Sequence, residues 1–252
     1  MSNRGLSRVT TAELARLASA VDRGVLSAPL RDAELRAEGF ASDELLPVLE
    51  DLDRAALVRL LRAWIADRER RPPPRLDLVW TGPETRGATS RDTAVLVREL
   101  FAKARRSVLI AGFSFDHGRA IFAPLHEVMR VHGVTTEIFI DIRERAPAGV
   151  AADAHARAYV EAFLTRSWPF GPPFPSLYYD PRSAASNAMA SLHAKCIVVD
   201  LERTFVTSAN FTDRGQTRNI ELGVQIDDRE FAAAVVTQWR SLVEAGLLGA
   251  AR

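Results

Sequence analysis

Hydrophobic residues recur at helical spacing along the first 70 residues of the chain. In the segment TTAELARLASAVDRG, apolar residues three and four apart share one face, and a Thr-x-x-Glu capping box begins at Thr10. Further helices are predicted from Ser42 and over residues 53–68. We therefore predict a small all-α domain over residues 1–71, either a bundle that packs or mediates contacts, or a DNA-binding helix-turn-helix. No basic recognition helix stands out in it to favour the second interpretation.

A proline-rich break follows and the pattern then changes. Residues 70–75 read RRPPPR, which cannot continue a helix, so the domain boundary is placed between residues 71 and 72. Beyond it, strands alternate with amphipathic helices, which is typical of an α/β sandwich. The predicted strands are 76–80, 107–113, 134–142, 176–179, 193–199 and 218–226, with another strand before Thr207. The predicted helices follow a Thr89-x-x-Asp92 box, span 118–132 and 149–165, and follow an Asp227-x-x-Glu230 cap.

Residues 166–190 form a segment of a different kind. They contain five prolines and several aromatic residues, followed by small polar residues, which predicts a long surface loop. The aromatic side chains could stack on bases in a substrate groove, or they could cover the sheet. The sequence leaves these two interpretations equally open.

Composition narrows the class of protein. The 252 residues are 47% hydrophobic and carry a net charge of +1, so the chain does not have the strongly basic character of many nucleic-acid-binding proteins. The sequence has neither a long apolar run nor a secretory signal at its N-terminus. A single cysteine, Cys196, allows no internal disulfide. We therefore expect a cytoplasmic protein.

The candidate chemistry lies in HAKCIVVDLERTFVTSAN, residues 193–210. On a strand, alternate side chains share a face, so His193 and Lys195 are expected side by side at the entrance of a buried strand. An imidazole can attack phosphorus or protonate a leaving oxygen, and an ammonium can neutralise phosphate charge. A lone His-x-Lys is a weak signal, and the residues around it give it weight.

The spacing resembles the signature of the phospholipase D superfamily. After Lys195 come four residues and Asp200, then six residues and Thr207-Ser-Ala-Asn210, with an Asn-x-Glu element ending at Glu221. Thr207 occupies the place of the usual Gly, and its side chain restricts close approach of a phosphate to the backbone. The resemblance implies a phospholipase D-like α/β/α sandwich with a mixed central sheet.

The resemblance also implies a role for each motif residue. His193 would form a phosphohistidine or serve as its partner acid and base, while Lys195 and Asn210 would bind phosphate oxygens. Glu221 would orient the imidazole by accepting its second N–H. Ser208, next to Thr207, would bind phosphate or support His193. Asp200 has the opposite parity from His193 and is interpreted as structural.

The chain carries only half of such a site. The only other lysine, Lys103, is not part of a His-x-Lys, so we expect a homodimer in which two-fold symmetry brings His193 and Lys195 of both copies around one phosphate. No His/Cys/Asp cluster has zinc-like spacing, so no metal or cofactor is expected.

Within the superfamily, the chain is similar to the phospholipase D-like component of the bacterial DISARM anti-phage system. The similarity rests on the helical N-terminal extension, LVWTGPE at 78–84 and SVLIAGFSFD at 107–116. It implies a defence role for a metal-independent phosphodiesterase acting on nucleic acid alongside a helicase and a methyltransferase. DNA is favoured over RNA as the partner, although the sequence does not fix the choice. A catalytically silent DNA-binding or scaffold subunit is an alternative. A lipid-directed phospholipase or phosphatidyl transferase is disfavoured because no basic amphipathic helix or membrane anchor is found.

Overall fold

The computed structural model describes residues 9–40, 42–70, 73–83, 90–142, 144, 146–147, 149–184 and 189–251. The chain divides into two compact units, Met1–Pro73 and Pro74–Arg252. The boundary we predicted, between residues 71 and 72, lies two residues before this division.

The first unit contains four described helices around its own apolar core. They are α1 (Thr11–Asp22), α2 (Asp32–Ala37), α3 (Ser42–Leu49) and α4 (Arg54–Glu69). The Thr10 hydroxyl accepts from the Glu13 backbone N–H, and the Glu13 side chain accepts from the Thr10 backbone N–H, so the capping box forms as the sequence indicates. The Asp53 side chain caps α4 by accepting from the Ala56 backbone N–H. Helix α2 was not predicted, because six residues are too few for a clear periodicity.

The second unit is built on a mixed nine-stranded sheet. Its strands are β1 (Arg75–Thr81), β2 (Arg91–Asp92), β3 (Ser107–Gly112), β4 (Thr135–Ile140), β5 (Ser176–Tyr179), β6 (Cys196–Val199), β7 (Arg203–Thr207), β8 (Glu221–Asp227) and β9 (Gly249–Ala250). Its helices are α5 (Thr93–Lys103), α6 (Gly118–His132), α7 (Ala152–Arg166), α8 (Pro181–Ala184), α9 (Asp213–Thr217) and α10 (Arg229–Glu244). The strand order is β2-β1-β8-β7-β6-β3-β4-β5-β9. Strands β3, β4 and β5 are parallel, and β1, β8, β7, β6 and β3 pair antiparallel.

Helices cover both faces of this sheet, so the α/β/α sandwich is confirmed. On one face, Val108 and Ile110 of β3 pack with helices α5, α6 and α7. On the other face, Leu109 and Ala111 pack with α10. The alternation of side chains along a fully buried strand produces this division, because each strand supplies both cores.

Several predicted boundaries are wrong, each for a local reason. Strand β6 begins at Cys196, so the segment that carries His193 precedes the sheet. The side chain of Asp228, and not that of Asp227, caps α10 by accepting from the Phe231 N–H. Asp92 is itself the N-cap of α5, whereas Thr89, the other residue of the predicted box, lies outside the described residues.

Several aromatic rings of the predicted loop pack on the sandwich. Trp168 is almost fully buried against Phe122, and Phe170 stacks on His126. Farther along, Tyr178 stacks on Phe139. These rings complete the two cores of the sandwich. The burial of Trp168 excludes that ring from stacking on bases, whereas Phe170 and Tyr178 are half-buried.

Candidate active site

The predicted site residues meet at one end of the sheet, where β6, β7 and β8 lie side by side. The backbone N–H of Thr207 donates to the carbonyl of Lys195 (3.1 Å), and the N–H of Ser208 donates to the carbonyl of Leu222 (3.0 Å). These two bonds bring the His-x-Lys segment, the end of β7 and the start of β8 together. Residues separated by up to 28 positions in sequence therefore lie together at the same end of the sheet.

Lys195 and His193 are in direct contact. The Lys195 Nζ lies 3.3 Å from Nδ1 of His193 and donates to the His193 carbonyl oxygen at 2.9 Å. The imidazole is exposed, while Lys195 is buried apart from 7% of its surface. The ring of Phe113, which follows β3, lies 4.7 Å from the imidazole centroid and 5.5 Å from Nζ. One aromatic ring thus supports both members of the pair.

Burial lowers the pKa of Lys195, because desolvation disfavours the ammonium. The carboxylate of Glu221 acts in the opposite direction and helps to maintain the charge. A partly desolvated ammonium next to an exposed imidazole suits the binding of a phosphate, whose negative charge would further stabilise the ammonium.

The Glu221 carboxylate accepts two hydrogen bonds from nearby side chains. One carboxylate oxygen accepts from the Ser208 hydroxyl and the other accepts from the Asn219 amide at 3.0 Å. Ser208 Oγ also accepts from the Leu222 backbone N–H at 3.1 Å. Among the described contacts none joins Glu221 to the His193 ring, so the direct carboxylate–imidazole bond that we expected is absent from the single chain.

Asn210 and Thr207 lie on either side of Ser208. The Thr207 hydroxyl, largely buried, accepts from the Ala209 N–H at 3.0 Å and so shapes the turn after β7. Asn210 is partly exposed, and its side-chain oxygen is buried without a hydrogen-bond partner in the described part of the chain. The extra bulk of Thr207, compared with the usual Gly, is accommodated as part of this turn.

Asp200 stands apart from the chemistry. Its carboxylate accepts from the backbone N–H groups of Arg105 (2.9 Å), Arg106 (2.7 Å) and Ser107 (2.9 Å), which lead into β3. Its backbone has a positive φ of 57°, which Asp tolerates better than most residues. Asp200 therefore joins the β6–β7 turn to the start of the neighbouring strand.

Four residues of this region were not assigned a role from the sequence. Asn219 lies in the recognised Asn-x-Glu element, so a signal for it existed. Asp141 anchors the segment before the histidine by accepting from the Leu192 N–H at 2.7 Å. A Cβ on Gly215 would lie 2.6 Å from the backbone oxygen of Asn210. Phe113, Asp141 and Gly215 are far from the motif in sequence or lie outside its pattern, so only the fold could reveal their role.

The arrangement brings an exposed imidazole, an amine and hydrogen-bonding groups together at one end of the sheet, and these are the groups that phosphoryl transfer can use. Among the described residues, no group of three or more His, Cys, Asp or Glu side chains could hold a metal ion. The described helices include none long and apolar enough to cross a membrane.

The fold and this constellation define a phospholipase D-like protein. Residues 97–243, more than half of the chain, match the family described as "Cardiolipin synthase, PLD-like domain", and the chain belongs to that family. The chain is also 29% identical over 157 residues to the DISARM protein DrmC of Bacillus paralicheniformis. That match spans 60% of this chain and 56% of the relative, so well under two thirds of the relative's length is covered.

Solved structures with a similar fold include three proteins. Nuc of Salmonella typhimurium, a phospholipase D family member, has 23% identity and a TM-score of 0.46 over 70% of this chain and 97% of its own. NucT of Helicobacter pylori has 18% identity and a TM-score of 0.48, over 68% and 96%. Phosphatidylserine synthase of Haemophilus influenzae has 15% identity and a TM-score of 0.49, over 80% and 49%. These likenesses are too distant to support an argument about function.

Proposed function

We propose that the chain is a metal-independent phosphodiesterase that cuts nucleic acid and whose active site is completed by a second copy of the same chain. The observation that carries the proposal is the contact between Lys195 and His193 at the end of the sheet, next to the turn after β7 that holds Ser208 and Asn210. Membership of the phospholipase D-like family supports a phosphodiesterase reaction.

In the proposed reaction, an imidazole nitrogen of His193 attacks phosphorus, and the bond from phosphorus to the leaving oxygen breaks. His193 of the partner subunit donates a proton to that oxygen. Water then attacks the phosphohistidine, and the same partner imidazole takes the proton of the water, which restores both histidines. Lys195 neutralises the non-bridging oxygens, and the amide of Asn210 donates to them.

Glu221 has a supporting role in this proposal. Its carboxylate favours the charged form of Lys195 and fixes the Ser208 hydroxyl and the Asn219 amide. The hydroxyl of Ser208 is thereby held at the edge of the phosphate position, with Thr207 shaping the turn beneath it. This role replaces the direct orientation of His193 that we expected.

The biological setting proposed is bacterial anti-phage defence. Similarity to the DISARM protein DrmC supports it, and other defence subunits would then be partners. DNA is the proposed substrate ahead of RNA, and the cytoplasm is the proposed location. A silent scaffold would share this setting without the reaction, so activity measurements separate the two functions.

The test is a cleavage assay on the purified chain in EDTA with labelled single-stranded DNA, double-stranded DNA, RNA and phosphatidylcholine. His193→Ala is compared with His132→Ala, an exposed histidine at the end of α6. We expect nucleic-acid cleavage in EDTA that falls roughly 10²-fold or more in His193→Ala only. Equal cleavage by both variants, or cleavage of the lipid alone, would overturn the proposal.

A further inference from the structure

A cavity of about 600 Å³ lies between helix α7 and the loop after β3. One wall is a face of α7 that includes His155, Tyr159 and Arg166, and Phe115 of the loop forms part of the other. The described residues that line it all belong to the unit Pro74–Arg252, so the cavity lies within one unit. Its volume is typical of sites that bind small molecules. We call it the α7 cavity.

The α7 cavity lies at the same end of the sheet as His193. Strands β3 and β4 run parallel, and the cavity is lined by Phe115 and Glu144, which follow the carboxyl ends of these strands. Strand β6 runs antiparallel to β3, so its start, next to His193, is at that end too. In open α/β sheets, ligands bind in the crevice outside the carboxyl ends of the parallel strands.

Phe115 connects the α7 cavity to the turn that holds Asn210. The ring of Phe115 stacks on that of Phe211 with the centroids 5.3 Å apart, and the two residues form an isolated β-bridge. The Phe211 N–H donates to the Ser114 carbonyl at 3.0 Å, and the Asp116 N–H donates to the Phe211 carbonyl at 3.0 Å. Since Phe211 directly follows Asn210, the wall of the cavity is fixed to a residue that the proposed reaction uses to bind phosphate.

Aromatic rings and small side chains shape the interior of the cavity. Phe115 and Tyr159 are half-buried and line it, while Phe163 is buried and meets Phe115 edge-on, with the ring centroids 5.3 Å apart. Ala158 and Ala162 lie one turn apart on α7 and leave space that larger side chains would fill. Half-buried rings around such a space are suited to stacking with a planar ligand.

The polar groups of the cavity suit a nucleotide. His155 Nε2 lies 2.6 Å from the Glu144 carbonyl oxygen, and because a carbonyl only accepts, Nε2 carries the proton. In the neutral ring, Nδ1 is then an acceptor, which can bind an amino group of a base. Arg166 is exposed and also lines the cavity. A guanidinium binds phosphate in a bidentate manner or stacks on a planar ring.

We propose that the α7 cavity binds one unpaired base of a single-stranded nucleic acid whose neighbouring phosphate lies at His193 and Lys195. The inference rests on the proposed function, since it concerns the substrate of that same site. A base within a duplex is paired and stacked, and taking it out costs free energy, so the cavity favours single strands over duplexes. Stacking on aromatic side chains accepts every base, so we expect little sequence preference.

The test variants alter the cavity and keep the fold. Tyr159→Leu removes the aromatic ring but keeps apolar volume against the core, and Tyr159→Phe keeps the ring. Ala158→Trp fills the cavity from an exposed position on the helix. Ala154→Trp is the matched control, because Ala154 is exposed on the same helix and is not among the described residues that line the cavity. Circular dichroism checks that each variant is folded.

The first measurement is binding, by fluorescence anisotropy on the full chain carrying His193→Ala, which prevents turnover. The probes are a short labelled DNA strand and an abasic strand with the same number of phosphates. We expect the ordinary strand to bind roughly tenfold more tightly than the abasic one. Tyr159→Leu and Ala158→Trp should remove most of this difference, whereas Tyr159→Phe and Ala154→Trp should keep it.

This comparison is a double-mutant cycle between the ring and the base. A loss of phosphate contacts or of folded protein lowers the affinity for both strands and leaves their ratio unchanged. A ratio that is the same in Tyr159→Leu as in the parent chain overturns the inference.

The second measurement is cleavage of single-stranded and double-stranded DNA of the same sequence by chains that retain His193. Stacking contributes to binding of the substrate and of the transition state alike, so Tyr159→Leu should raise KM for the single strand roughly tenfold and leave kcat near its original value. KM for the duplex should not change. A loss confined to kcat, or equal effects of Tyr159→Leu on single strand and duplex, contradicts a base site in the cavity.

The outcomes separate this inference from the proposed function. Cleavage that requires His193 but is indifferent to Tyr159→Leu and Ala158→Trp removes the base site and leaves the phosphodiesterase standing. A chain that cuts no nucleic acid but loses its preference for the ordinary strand in Tyr159→Leu keeps the base site and removes the reaction. Binding of neither strand overturns both.

Discussion

The amine of Lys195 lies 3.3 Å from Nδ1 of His193 and is hydrogen-bonded to the carbonyl of the same histidine. The lysine is buried, whereas the imidazole beside it is exposed. A charge that is costly to bury is thus held where a phosphate dianion or diester would stabilise it.

The rate of cleavage is expected to decrease at alkaline pH. Burial lowers the pKa of Lys195 from its ordinary 10.5, so the ammonium is lost as pH rises through this lowered value. In a plot of kcat/KM against pH, the alkaline loss of activity should therefore have its midpoint at a pH lower than 10.5. Lys195→Arg, if active, should move the limb upward, because arginine stays charged. An unchanged limb in Lys195→Arg would show that another group titrates.

Removing the buried charge is expected to stabilise the chain while abolishing activity. Lys195 binds fewer protons in the folded state than in the unfolded state between its lowered pKa and 10.5, so stability rises with pH in that window and the charge is unfavourable below it. Lys195→Met should therefore raise the Tm at pH 7, measured by thermal unfolding. The matched control is Lys103→Met, since Lys103 is exposed and paired with Glu99. A lower Tm for Lys195→Met would contradict the expected cost of burial.

Asp200 is expected to matter for folding and not for turnover. Asp200→Ala removes the acceptor for the backbone N–H groups of Arg105, Arg106 and Ser107, which should lower the free energy of unfolding by about 3 kcal/mol. Asp200→Asn keeps an oxygen acceptor and should cost about 1 kcal/mol. Urea unfolding measures both changes. Activity per folded molecule should stay near that of the wild type, and a tenfold loss in folded Asp200→Asn would assign Asp200 to the reaction.

Gly215 is expected to be required for the position of Asn210. An added Cβ would lie 2.6 Å from the Asn210 oxygen and 2.9 Å from its nitrogen, and both are backbone atoms that cannot move aside alone. Gly215→Ala should therefore shift the turn and lower kcat about tenfold or more, as small displacements of positioning groups do. Thr217→Ala, an exposed change in the same short helix, is the control. Full activity in Gly215→Ala would show that the turn tolerates the shift.

A shared site predicts a characteristic response to mixing. If each phosphate needs His193 from two chains, only dimers in which both chains retain His193 are active. In an equal mixture of wild type and His193→Ala after subunit exchange, these are a quarter of the dimers, so about a quarter of the wild-type activity should remain. Independent sites would retain about half. The measurement is initial rate against the mixing fraction, with His132→Ala as the inert partner that gives no loss.

The sequence indicated more of the scaffold than of the contacts. The nearly continuous apolar runs within the predicted strands 107–113 and 193–199 indicated buried strands correctly, because each strand supplies side chains to two cores. Strand ends were less certain: β6 begins only at Cys196, since the segment before it is held by Asp141 and not by strand pairing alone. The aromatic loop illustrates the same limit, since the burial of Trp168 depends on helix α6, which is distant in sequence.

The sequence by itself determined the order of the chemical groups: His193, Lys195, Ser208, Asn210 and Glu221 at characteristic spacing, with one lysine-bearing motif per chain. Only the tertiary structure decided that Glu221 binds Ser208 and Asn219 within the chain and that Phe113 supports the pair. Spacing fixes which residues can share a strand end, whereas contacts between distant strands depend on the register and on which faces the helices leave uncovered.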